Sequence, residues 1–206
     1  MLEANETLPG IHLERVIFKK HLKNFTDELR SAKYDKYMSS FFPEVELDKS
    51  LAPKIKNILL AFSAGMQFGF DKTQGKKAMP LLAIGDHEYK DKPLMKPAYY
   101  HRRKVILLPR SFVLEWAKGE DNEMVNSERD GKQVGTIPKL AMIGRTGAEE
   151  VSHAIWRQQG KPIGMEFDDE YAQPEGYSDT PIEKEGRRIA KLFLNEVCDI
   201  TNYDNE

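Results

Sequence analysis

The chain has a single cysteine, Cys198, in 206 residues, which excludes an internal disulfide and any site built from several thiolates. A metal would therefore need imidazole and carboxylate ligands. Charge of one sign is missing too. The 31 Lys+Arg and 33 Asp+Glu leave a net charge of -2, so no global field draws the chain to nucleic acid or to an anionic membrane. Long apolar runs are absent: the most apolar stretch, Asn57 to Phe70, is broken by Ser63 and Gln67. It falls short of the roughly 20 residues that span a bilayer. The opening residues MLEANETLPG lack a basic segment followed by an apolar one, so a cytoplasmic location is the expectation. No repeat or low-complexity tract is visible.

Between Ile11 and Phe42, apolar residues including Leu13, Val16, Leu22, Phe25 and Leu29 recur at helical intervals among charged ones. This predicts an N-terminal helical extension over residues 1–50. After FFPEVELDKS comes a second helix, about Leu51 to Phe70, with Ile55, Ile58, Leu59, Phe62 and Met66 on one face. Met79 to Ile84 and Lys104 to Leu108 are short, apolar and β-branched enough to be strands, and Phe112 to Lys118 reads as a short helix. The polar, glycine-punctuated residues 119–136 read as a surface loop, a lid or an insertion. Ile137 to about Gln159 is helical again, with Thr146 near its start and Gly160 and Pro162 beyond its end. Pro181 to Val197 forms the last helix, with Ile189, Leu192, Phe193 and Val197 on its apolar stripe. The expected class is a mixed α+β domain over residues 51–197 with a frayed tail at 198–206.

Chemistry concentrates in RTGAEEVSHAIW, Arg145 to Trp156. Residues four apart on a helix stack one turn above each other, so Glu149 and His153 can grip one ion together. Glu150, beside them, is suited to take a proton from a water activated by the metal. A third ligand must come from elsewhere, and the first turn of the last helix offers Glu183 and Glu185. Glu185 is preferred because it precedes Gly186, a small residue where two helices can approach.

RTGAEEVSHA resembles the RFTLAHELGH segment of minimal gluzincin-type zinc metallopeptidases of the ImmA/IrrE kind, and EKEGRRIAKLF resembles their downstream acidic-apolar helix. The resemblance covers about 20 residues as motif. It implies a zincin-like core in which Glu149, His153 and Glu185 hold a divalent metal and Glu150 is the general base. It also implies a protein or peptide substrate. The first histidine of H-E-x-x-H is Glu149 here, which makes the donor set harder, so zinc is the leading ion with manganese or iron as alternatives. The rival expectation is a zincin-like protein without catalysis that serves as a binding or regulatory module.

Other features are read more plainly. Glu150 and His153 have the E-x-x-H spacing of di-iron bundles, but no second copy exists. His87 lies in a polar stretch, His101 beside a basic run, and Tyr171 and Tyr177 in a connection, where solvation or simple packing is the usual state. Glu166, Asp168, Asp169 and Glu170 lack the spacing of a calcium loop. KPAYYHRRK, Lys96 to Lys104, could stack bases on Tyr99 or Tyr100, yet one short basic run in a near-neutral chain makes nucleic acid the minor expectation. No membrane partner is expected, and no oligomeric state is specified.

Overall fold

A computed structural model describes residues 11–20, 42–73, 78–89, 92–100, 104–129, 132–162 and 177–200. The protein is mixed α+β. Its elements fall into two compact units: residues 1–60 with 80–120, and residues 61–79 with 121–206.

The first unit carries a sheet. β1 (Ile11–Lys20) pairs antiparallel with β2 (Leu81–Tyr89), which runs parallel to β5 (Val105–Pro109), and β4 (Ala98–Tyr100) closes the order β1-β2-β5-β4. The short β3 (Lys92–Pro93) also pairs with β2. All five residues of β5 are buried, as are Leu82, Ala83, Ile84 and Gly85 of β2. Such unbroken apolar runs belong to interior parallel strands, covered on both faces. Pro109 occupies the last position of β5, and α3 (Arg110–Ala117) begins at the next residue and packs on both strands. Arg110 ties this corner together. Its Nε donates to Asp86 at 3.0 Å and its Nη1 to Glu44 of α1 (Glu44–Leu47) at 2.6 Å.

β1 corrects the expected N-terminal helix. Ile11–Lys20 is extended, paired along its length with β2, and its register slips between Leu13 and Arg15 and again between Val16 and Phe18. Each slip inserts a bulge that breaks period-two alternation, so the apolar residues come to recur at the three-to-five spacing of a helix. The rest of that expected extension, residues 21–41, lies outside the described residues.

The second unit holds the later helices. α2 (Leu51–Lys72) contributes its residues from Ala61 onward, α4 spans Lys139–Gln158 and α5 spans Pro181–Val197. Residues 119–136 are not a plain loop. β6 (Met124–Arg129) and β7 (Lys132–Pro138) form an antiparallel ladder that leads directly into α4. The Asp130-Gly131 pair between the two strands is the composition of a tight hairpin connection, and the polar, exposed character of Asn126 and Thr136 hides the strands from a hydrophobicity reading. Thr146 is likewise not near a helix start: it lies within α4, where its hydroxyl donates to the Met142 carbonyl at 3.0 Å.

α2 and α4 approach at glycines. A Cβ on Gly65 would stand 1.7 Å from the Gly144 carbonyl oxygen, so the two backbones touch with no side chain between them. Phe193 of α5 fills the space beside this contact, edge-on to Phe68 at a centroid distance of 5.5 Å. Because the obstacle is backbone, Gly65→Ala is expected to lower stability by about 3 kcal/mol or more, read from the urea midpoint. Gly160→Ala is the control: that residue has φ of 69° but nothing within 4 Å, and its cost should stay near 1 kcal/mol.

Candidate metal centre

α4 follows β7 without a gap, and its inner face of Ala141, Ile143, Gly144, Ala148, Val151 and Ile155 is buried. Along one margin of that face, at helical intervals, stand Arg145, Glu149 and His153, all half-buried. α5 starts at Pro181, whose fixed φ and missing N–H suit the first helical position. Glu183 sits in its first turn, where the positive end of the helix dipole favours a carboxylate. Ile182, Gly186, Ile189, Ala190 and Phe193 form the buried stripe that packs on α4.

This packing brings Glu149 and His153 of α4 to Glu183 of α5. One ligand atom from each lies within 4.8 Å of the others. His153 Nε2 is 3.4 Å from Glu183 Oε1, and the same nitrogen is buried without a hydrogen-bond partner. Its other ring nitrogen, Nδ1, is 3.8 Å from Glu150 Oε2. Arg145 reaches Glu149 Oε2 at 3.8 Å. Gly186 makes the approach feasible: a Cβ there would lie 2.4 Å from His153 Nε2 and 3.3 Å from Glu149 Cγ.

The acidic residue of α5 that lies with Glu149 and His153 is Glu183, while Glu185, the residue preferred from the sequence, is placed elsewhere. Glu185 grips Arg188 with two hydrogen bonds, 2.7 and 2.9 Å, on the outer side of α5. The reason is angular. Gly186 does mark the close approach, but the residue immediately before it is turned about 100° around the helix, whereas the residue three before shares its face.

The residues present fit a divalent ion. One imidazole and two carboxylates are a donor set used by zinc, manganese and iron, and ligand atoms on bonds of about 2.1 Å sit roughly 3 to 3.5 Å apart. The candidate ligand atoms here lie within 4.8 Å of one another. Among the described residues this is the one such group of three, so the second cluster that a di-iron bundle needs is not found among them.

Electrostatics point the same way. Burial alone would depress the His153 imidazole, but Glu150, Glu183 and Glu149 around it raise it from 6.5 to about 9. Burial pushes the Glu150 carboxyl upward against the pull of His153, with repulsion from Glu149 and Glu183 added. Three carboxylates converge on one imidazole, a local excess of negative charge suited to a cation.

The remaining candidates divide in two. Tyr100 is buried in the first unit at 1% exposure, which removes it as a platform for base stacking. His101, Arg102, Arg103, Tyr171, Glu166, Asp168, Asp169 and Glu170 lie outside the described residues. His87 falls in β2 and Tyr177 in a short 3-10 turn, Tyr177–Asp179, with their side chains outside the description. A scan of protein-family models, a search of curated proteins and a search of solved structures each find no match to the chain.

The raised His153 carries a sign. The folded state holds the imidazolium more tightly than the unfolded chain does, so the stabilisation is complete below pH 6.5 and disappears as pH rises through about 9. The shift corresponds to a loss of about 3 kcal/mol for metal-free protein, and the raised Glu150 adds a loss of the same sign at lower pH. Urea midpoints across this window should fall for the native chain and stay flatter for His153→Ala.

Proposed function

We propose that this chain is a metal-dependent hydrolase with a zincin-like site, acting on peptide bonds of a protein or peptide. The observation that carries the reading is the convergence of Glu149, His153 and Glu183 around a buried His153 Nε2 that lacks a hydrogen-bond partner. These three residues would hold the ion, zinc first and manganese or iron as alternatives. A divalent ion bound there supplies Lewis acidity that polarises a scissile carbonyl. Glu150 would accept the proton of the attacking water and return it to the leaving amine; its carboxyl, raised by burial, lies at the Nδ1 edge of His153, so this role requires the side chain to turn toward the Nε2 side. Arg145, 3.8 Å from Glu149, restrains that carboxylate and offsets part of the negative charge. The peptide substrate rests on the resemblance of Arg145 to Ala154 and Glu183 to Phe193 to the minimal gluzincins. A cytoplasmic setting accompanies it.

A second reading is a zincin-like binding or regulatory module without catalysis. It is favoured by Glu149 standing where the motif has histidine and by Glu150 facing the imidazole edge. The module needs no metal, and Glu150→Gln separates the two: the hydrolase loses peptide cleavage, while the module keeps its cellular activity.

Elemental analysis and zinc or manganese titration of the full chain test the metal site. The expected result is close to one ion per chain, lost in His153→Ala and weakened at least about tenfold in Glu183→Gln, with Glu185→Gln unaffected. No ion in the native protein after zinc and manganese are supplied would remove the metal site and the hydrolase with it.

A further inference from the structure

At Gly186 the backbone of α5 lies against the ring of His153. A Cβ built on this glycine would stand 2.4 Å from Nε2, 3.0 Å from Cδ2 of the same ring and 3.3 Å from Glu149 Cγ. That point is off the nitrogen corner of the imidazole and not over its face, since an atom stacked on the face would meet both carbons beside Nε2 and only one is among its three nearest neighbours. Zinc–imidazole bonds are about 2.0 to 2.1 Å long. The space that a side chain at position 186 would take is therefore the space in which an ion would meet Nε2. Glu183, three residues earlier on α5, brings its Oε1 to 3.4 Å from that nitrogen, and Nε2 is buried with no hydrogen-bond partner. What a Cβ would press on also differs from the contact at Gly65, where the obstacle is the Gly144 carbonyl. Here the obstacle is the far end of a side chain, and a ring can turn aside where a backbone cannot.

We propose that Gly186 is a positioning residue of the metal centre: the side chain it lacks leaves the place of the ion open, and the α5 backbone is one wall of that place. The inference rests on the metal-site reading above and adds to it where the ion lies and which residue, itself without a donor side chain, keeps that place free.

Gly186→Ala adds a single methyl group. In zinc titrations of the full chain the variant is expected to bind at least about tenfold more weakly than the native protein, the scale on which disturbing the orientation of a ligand acts. Its metal-free urea midpoint should stay close to the native one, because the ring yields. Gly160→Ala, with nothing within 4 Å, should keep the native zinc affinity. A second readout needs no variant. In native protein labelled with nitrogen-15 glycine, substoichiometric manganese should erase the Gly186 amide signal before that of any other glycine, since paramagnetic broadening falls steeply with distance. Another glycine fading first would place the ion elsewhere and overturn the proposal, even if Gly186→Ala failed to fold. If the native chain binds zinc and Gly186→Ala binds it equally well, the positioning role alone fails and the metal site stands. If the native chain binds neither zinc nor manganese, the metal reading fails and takes this proposal with it.

Discussion

The approach of the α5 backbone to the imidazole of His153 is the constraint on which the candidate centre depends. Gly186 sits where any Cβ would collide with Nε2 and crowd the Cγ of Glu149. Only with a bare backbone there can α5 lie close enough for Glu183, one turn earlier, to reach the same space as Glu149 and His153. The same helix carries Ile189, Phe193 and Leu194 into the core, so the energy that holds Glu183 in place comes from apolar burial further along α5. The polar cluster is thus positioned by its surroundings and does not have to stabilise the fold.

A related economy appears on α4. Its inner face is made of small and β-branched residues, and the Gly65–Gly144 contact draws α2 against it. α4 is therefore held by neighbours on two sides, which restricts the rotation of the residues along its margin. Arg145, Glu149, Glu150 and His153 inherit that restriction. Preorganisation of this kind matters for a site of three carboxylates, since like charges held together repel until a cation or an imidazolium joins them.

Much of this was legible in the residue pattern. Pro181 as a helix start and the stripe through Ile189 and Phe193 locate α5 to the residue, and the pairing of Glu149 with His153 follows from helical spacing alone. Gly186 was also readable as a point of close approach. Glu183 and Glu185 are both offered by the first turn of α5, and the apolar stripe does not choose between them: Glu183 lies three residues before Gly186 and Glu185 four before Ile189. β1 departs from the helical reading because its two register slips give strand residues a helix-like recurrence, and the β6–β7 hairpin escapes a hydrophobicity reading because MVNSER and KQVGTIP carry no apolar alternation.

Local spacing, then, determined the helices and the acidic and imidazole side chains that share a turn, because each depends on covalent order and a repeat of 3.6 residues. Tertiary structure alone decided that Glu183 joins Glu149 and His153, and that it faces the ring nitrogen opposite the one near Glu150. Those relations join atoms about 30 residues apart in the chain. They are set by how far and at what rotation two helices pack, which no spacing within either helix specifies.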